Sequence, residues 1–535
     1  MSAEKQEGGP SKKIAECVHP GFFEAERHFY PKVLNAHLHP LMKMFMGLGN
    51  DRVAQRYCHL HPQTSHEKLM SLFNYSPKYF SWAGSDLFSV TNEASQRQMI
   101  VIETNSCPSG QKFFPCDDNE EHSGSGYHKL TKYTVRPLVE SATEVEGGVL
   151  AVVYDEDRME ATGYAAAIAS EFKEIVYLAT YHDGDPSPPF KFDNDGVAHV
   201  RVANSLSPEG EKWLKVRAAF RYVTQRPWNR FPLISKTKVL NSIVSCISGG
   251  RNKLVAAKAY DFFNLELAPF GLKIRVPETH QCDMAEVPLY LRLMKNAVIK
   301  VPYSNAGQGV FTITSEEELK RFIEMKHSYD KLIVQSLTGK SQWSSHSRSG
   351  TYYHAGTIPN KKKESFVADL RMMVGGSDKG FVPIAVYARR AKSPLLDELP
   401  PEGSADSWSM LGTNLSYKKR DGRWGTDTNR LLLMDNKDFN KLGIGLDDLI
   451  DAYVQTVLSC IAIDQMCCLL MKGDEFNWEL FFSLNPDEVL MKEILTPLIQ
   501  YCDPSTLEDM KTMTDESIAK LSFGELKMNA MKSRL

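Results

Sequence analysis

Cysteine is sparse in this 535-residue chain: ten residues, at 17, 58, 107, 116, 246, 282, 460, 467, 468 and 502, with no C-x-x-C pair. That excludes a disulfide scaffold and a thiolate zinc motif, and it predicts free thiols in a reducing cytosol. Neither sign of charge is in excess, the net charge being −3. Without a basic stripe, nucleic acid is not the expected partner. No apolar run suggests a membrane span, and the opening MSAEKQEGGPSKK is polar with no apolar leader core. The expectation is therefore a cytoplasmic protein with no membrane partner. The histidine pairs His37/His39 and His59/His61 lack a second ligand pair at zinc spacing. No internal repeat is found.

What the chain does have is length enough for about two or three units with a large core. Residues 1–15 read as disordered. Residues 20–80 are rich in aromatics and helix formers, and two strands follow over 82–105. From residue 148 the pattern becomes strand (148–154), alanine-rich helix (161–172) and strand (174–179), a βαβ unit and hence parallel sheet. Helix and strand alternate again over 252–340. Residues 341–364, rich in Ser, His and Lys, read as a mobile or exposed insertion, and 392–410 as a proline-rich loop. Apolar positions at helical spacing over 446–471 predict one long amphipathic helix, with helix to the end of the chain. The expected domains are residues 16–145, 146–245, 246–340, 341–430 and 431–535. The fold class is α/β, with grasp-type α+β parts, a parallel-sheet domain and helical additions at both ends.

The most informative stretch is Val298-Ile-Lys-Val-Pro-Tyr-Ser-Asn-Ala-Gly-Gln-Gly-Val-Phe311. It reads as strand, loop of small residues, strand. Lys300 would meet phosphates, and main-chain N–H groups from Ser304 through Gly307, Gln308 and Gly309 can approach them where no Cβ intervenes. A plain hairpin with two glycines in its turn is the simpler reading. Further pieces of a nucleotide site follow in order. Lys253 opens a helix after a Gly-Gly turn. The strand ending Gln335-Ser336-Leu337 can offer one donor and one acceptor to an adenine edge. Asp369 and Arg371 share a strand face. Arg390, at the end of Tyr387-Ala-Arg-Arg390, and Asn414, within Gly412-Thr-Asn-Leu415, complete the set. Arginines at strand ends suit a transferring phosphoryl group. Arg226 and Arg230, in the loop after strand 218–224, are candidates for an anionic substrate group or for ordinary surface arginines.

These motifs, in this order, resemble the ATP-grasp superfamily, and the D-L-R, A-R-R and T-N-L part is similar to its ribosomal glutamate ligase branch. The resemblance implies a ligase that carries a carboxylate through an acyl-phosphate and joins it to an amine, using ATP and Mg2+. Asp464 with Asn485 stands where the metal ligands would come in the common chain order, but without the glutamate. Asp464 lies in a helical stretch and Asn485 reads as an N-cap. Asp86 and the run Glu103-Thr-Asn105-Ser-Cys-Pro-Ser-Gly110 make the better set. A hairpin about Ala94/Ser95 puts Asp86 opposite Glu103, with Asn105 on the Glu103 face, as three oxygen ligands. That placement resembles the circularly permuted order of glutathionylspermidine synthetase and eukaryotic glutathione synthetase, with Gly84 where the former has an arginine. The implied partners are small-molecule carboxylate and amine substrates, with a homodimer possible. The alternatives are a kinase on the same fold, a nucleotide-binding scaffold without activity, and an α/β binding protein that holds no nucleotide.

Overall fold

Val149–Tyr154 is an unbroken apolar strand, and such a strand needs cover on both faces. In the computed structural model it has parallel neighbours on each side, Val176–Thr180 and Glu211–Tyr222. The alanine-rich helix Arg158–Phe172 packs on it, with Asp157 capping the first turn by accepting from Glu160 N at 3.3 Å. The strand order is Glu16–Val18, Val176–Thr180, Val149–Tyr154, Glu211–Tyr222, Ala198–Ala203, Phe190–Phe192. The outer pairs are antiparallel, so the sheet is mixed where the sequence implied a parallel one. The long strand Glu211–Tyr222 is the cause: its first half pairs back on Ala198–Ala203 as a hairpin.

The structure describes residues 13–21, 23–116, 125–207, 210–304, 307–348, 350–399, 406–418 and 424–499. The disorder expected at residues 1–12 and the helix expected beyond 499 lie outside them. The chain divides into two units. One is Leu138–Val239 with short pieces from the chain ends, and contains the sheet above. The other is Phe23–Pro137 and Leu240–Lys492. The sequence-drawn boundaries at 340 and 430 fall inside the second.

The second unit is built on two antiparallel sheets. The larger runs Tyr352–His354, Trp82–Asn92, Ala368–Ser377, Gly380–Arg390, Leu431–Leu432, and Arg97–Asn105 also pairs with Trp82–Asn92. The smaller runs Thr279–Asp283, Lys331–Ser336, Ala297–Lys300, Val310–Ile313. Its core is Ile299, Val334, Phe322 and their neighbours, and the helix Glu316–Glu324 begins at a Ser315 cap. Helix Leu446–Leu470 packs against the Arg97–Asn105 strand and the helix Lys253–Leu267.

That central helix differs from expectation. It is not amphipathic but buried almost all round, because strands and helices pack on several of its faces. By length and composition it could cross a membrane, yet 83% of its most apolar window is buried in the protein. Its polar residues serve as anchors. Asp451 accepts from Met99 N at 2.8 Å and pairs with Arg275, and Gln455 Oε1 accepts from Arg275 N at 2.7 Å. The 341–364 stretch also differs: Trp343, Ser344 and Ser345 are buried, and Tyr352–His354 joins the larger sheet.

Candidate functional site

The hairpin Trp82–Asn92/Arg97–Asn105 sets the site's first edge. Asp86 is paired with Glu103, the register expected from its symmetry. The register then slips by one between Asp86 and Leu87, which leaves Ile102 as an extra residue on its strand. The Ile102 carbonyl, turned out of the ladder, accepts from Lys300 Nζ at 3.3 Å. Gly84 is required by packing: a Cβ there would lie 2.4 Å from Pro108. No arginine fits at that position.

The second edge is the start of helix Lys253–Leu267. Asn252 is its cap, accepting from Val255 N at 3.3 Å while its amide donates to Ile247 O and Asn485 Oδ1. This fixes Lys253 at the first helical position. Its ammonium donates to Ser304 O at 2.9 Å and stands 3.4 Å from Glu103. The third edge is the Ala297–Lys300 strand and the loop after it, where Val301 N donates to Gly309 O at 2.7 Å. Gly307, at φ +74, faces Asn414 so closely that an added Cβ would lie 3.1 Å from its amide nitrogen. Gln308 is exposed.

These edges line a cleft. Glu103, Asn105, Lys253, Lys300, Ser304 and Gln335 line it, together with Arg251, Thr279 and an apolar wall that includes Val101, Val276 and Ile333. Its electrostatics are unbalanced, since the Glu103 carboxylate serves two ammonium groups, Lys300, which is buried, and Lys253, which is half-buried. Burial pushes Lys300 down to about 8, with Glu103 opposing and Lys253 adding to the shift. Burial also lowers Lys253. Burial raises the Glu103 carboxyl, but Lys253, Lys300 and Arg371 outweigh it and hold the group well below the usual carboxylate range.

Beside the cleft lies a buried network. Arg371 donates to both oxygens of Asp86, at 2.5 and 2.7 Å, and to Ser109 O at 3.2 Å. Arg389 lies 2.7 Å from Asp86 and also pairs bidentately with Asp369, which accepts from Thr413 at 2.8 Å. Asp86, placed by sequence among the metal ligands, thus has its carboxylate held by two guanidinium groups. Arg390 is not brought in. The sheet pairs Asp369 with Arg389 and Arg371 with Tyr387, so Arg390 falls on the opposite face, where it stacks on Phe366 at 4.5 Å. Arg389 takes the place expected of Arg390. Period-two alternation from Arg371 and Tyr387 was the signal that could have found it.

The expected adenine edge is used internally. Lys331–Ser336 has strands on both sides. Ser336 N donates to Glu278 O at 2.8 Å, and Leu337 N donates to Ser345 Oγ at 2.8 Å. Leu337 O accepts from Ser345 N at 3.0 Å. The serines that read as an exposed insertion are therefore caps for this strand end, a role invisible without the turn that returns them.

The alternative metal pair is separated. Asp464 is fully buried and accepts from Tyr75 Oη, Lys78 N, Tyr79 N and Phe80 N at 2.7–3.0 Å. Asn485 bonds to Asn252 and Tyr303. Among the described residues no three His, Cys, Asp or Glu side chains cluster as a metal site. Arg226 and Arg230 belong to the other unit and bond within it. Arg226 pairs with Asp183 at 2.6 Å and Glu493 at 3.1 Å, and Arg230 donates to the Tyr181 and Gln225 carbonyls.

Comparison with family models and with curated proteins finds no match. Among solved structures, the chain is similar to a glutathione synthetase-like effector from Globodera pallida, at 10% identity and TM-score 0.36, over 67% of this chain and 89% of that one. It is similar to a RimK domain ATP-grasp protein from Sphaerobacter thermophilus, at 13% identity and TM-score 0.24, over 44% and 90%. It is also similar to D-alanyl-alanine synthetase A from Vibrio cholerae, at 8% identity and TM-score 0.25, over 50% and 94%. At these scores the likenesses establish neither fold nor activity for this chain.

Proposed function

We propose that the protein is an ATP- and magnesium-dependent ligase of the ATP-grasp type, joining a carboxylate to an amine through an acyl-phosphate. The observation that supports it most is the sharing of one carboxylate, Glu103, by the buried ammonium group of Lys300 and the half-buried one of Lys253. An excess of cation at the wall of a cleft, half-shielded from water, calls for an anion, and a polyphosphate with a flat heterocycle suits both this end of the cleft and its apolar wall. Lys253 and Lys300 would hold the phosphates, with main-chain groups of Ser304 and of residues 307–309 beside them. Arg371, kept rigid by Asp86, would stabilise the charge that develops as the substrate carboxylate attacks the γ-phosphorus. Asn414, beside Gly307, would face the acyl end. The amine then forms the C–N bond as the C–O bond to phosphate breaks, and its proton leaves to solvent.

Magnesium fits a reduced donor set. Asn105 Nδ2 is committed to Glu103 Oε1 and Gly84 O, at 3.3 and 3.4 Å, which leaves its amide oxygen and the Glu103 carboxylate. Such an ion is commonly held by one or two protein oxygens plus phosphate and water, and it would neutralise phosphate charge. Asp86 would not be a direct ligand.

The test is ADP release in the presence of ATP, magnesium and pairs drawn from the common amino acids and dipeptides. Release that requires both an acid and an amine, and that is lost in Lys300→Ala, supports the ligase. Release with a hydroxyl acceptor and no amine points to a kinase. The internally bonded strand end at Ser336 and Leu337 favours a second reading, an α/β binding protein that holds no nucleotide, for which ATP does not bind and no pair releases ADP.

A further inference from the structure

Asn485, read from the sequence as an N-cap and as one half of a metal pair, has no role in the site described above, yet it and Asp487 are fully buried. Both meet the loop that follows strand Ala297–Lys300, at the buried Tyr303. Two more bonds tie the same limb of that loop to the Lys253 helix. Lys253 N donates to Pro302 O at 3.1 Å, and Lys253 Nζ donates to Ser304 O at 2.9 Å. Ser304 bonds back to Val301 O through its amide and its hydroxyl, at 3.3 and 2.9 Å. Residues 301–304 therefore lie along the helix start, with two of their carbonyls on Lys253.

The direction of the buried bonds is determined. Asn252 Oδ1 accepts from Val255 N, a group that can only donate, so its Nδ2 faces Ile247 O and Asn485 Oδ1, at 3.1 and 2.9 Å. Asn485 Oδ1 is thereby the acceptor, and Asn485 Nδ2 donates to Tyr303 Oη at 2.7 Å. The Tyr303 hydroxyl has Asn485 Oδ1 at 3.1 Å and the Asp487 carboxylate at 3.2 Å, and the charged oxygen is the stronger acceptor of its proton. Asp487 is held in turn, since its Oδ1 accepts from Leu490 N at 3.1 Å. One directed chain runs from the cap of the Lys253 helix through Asn485 and Tyr303 to a fixed carboxylate.

Resting on the nucleotide reading above, we propose that Tyr303 and Asn485 are positioning residues. They hold residues 301–304 in register with Lys253, so that the loop and the ammonium group meet the same phosphates with no prior ordering step. A loop of small residues left to itself samples many arrangements, and affinity falls by the fraction of time spent in the competent one. Neither Tyr303 nor Asn485 lines the cleft, so their effect reaches a ligand only through the loop and the helix start.

The experiment pairs calorimetric titration of ATP, with magnesium present, and hydrogen exchange of the nucleotide-free protein. Both are run on wild type, Tyr303→Phe, Asn485→Leu and the double variant. Each single substitution should weaken ATP binding by about tenfold. The double variant should lose no more than the worse single one, since both cut the same chain. The Ser304 amide should exchange faster in every variant, while the Val334 amide, paired in the middle of its strand, keeps its wild-type rate. Three results overturn the assignment while leaving the nucleotide site standing: ATP affinity in Tyr303→Phe within about twofold of wild type, losses that multiply in the double variant, or exchange that rises as much at Val334 as at Ser304. Failure of wild type to bind ATP overturns this inference and the proposed function together.

Discussion

Asp86→Asn separates an arginine clamp from a metal ligand. In the structure the Asp86 side chain is about 6% exposed and accepts two hydrogen bonds from Arg371, with Arg389 2.7 Å away. Arg389 keeps Asp369 when Asp86 loses its charge, whereas Arg371 keeps no anion within bonding distance, only the Ser109 carbonyl, the Tyr387 ring and one amide oxygen of the new asparagine. Breaking a buried pair by removing one partner costs about 3–5 kcal/mol. Asparagine retains one acceptor oxygen, so the lower end, about 3 kcal/mol, is expected. Urea unfolding followed by tryptophan fluorescence measures it. The double variant Asp86→Asn/Arg371→Met removes the stranded charge as well, so its loss should fall short of the sum of the single losses by about 1 kcal/mol or more. A single variant within 1 kcal/mol of wild type, or strictly additive losses, would refute the clamp. Loss of magnesium-dependent nucleotide binding with stability intact would return Asp86 to the metal.

Three more outcomes follow from the same geometry. Arg389→Ala should destabilise by about 3 kcal/mol or more, since it strips Asp86 and Asp369 of a shared partner, whereas Arg390→Ala should cost under about 1 kcal/mol for a lost cation–π contact; thermal melting distinguishes them. Asp464→Asn should lower stability by about 2–3 kcal/mol, because the amide nitrogen must face donors that the carboxylate now accepts from, with no change in magnesium dependence of ATP binding. For Lys300, held at about 8 by burial against 10.5 when exposed, the unfolded chain carries a proton that the folded one lacks between those values. Its contribution to stability therefore rises with pH across that window, and nucleotide affinity falls by up to about tenfold per pH unit above 8 until the bound-state value is reached. The pH profile of the ATP dissociation constant in wild type and Lys300→Met checks this.

Local pattern made part of the site legible. The hairpin register that pairs Asp86 with Glu103, the Asn252-Lys253 helix start and the Lys300 strand follow from spacing and capping alone. What escaped depends on which residues return to which. Asp86 reads as an oxygen ligand until Arg371 and Arg389, far along the chain, arrive on its face. Arg389 and Arg390 are equivalent in a motif and opposite in a sheet. A serine-rich stretch reads as solvent-facing because nothing local shows that Ser345 caps Leu337. Helix Leu446–Leu470 reads as one-sided because each apolar position was credited to a single face, while several elements bury it.

The most direct test of the central claim is calorimetric titration of ATP, with and without magnesium, into wild type, Lys300→Ala and Glu103→Gln. Binding that requires magnesium in wild type, weakens by about tenfold or more in Lys300→Ala and loses its magnesium dependence in Glu103→Gln would match a single site built across Glu103, Lys253 and Lys300. No ATP binding, or binding indifferent to both substitutions, would contradict it.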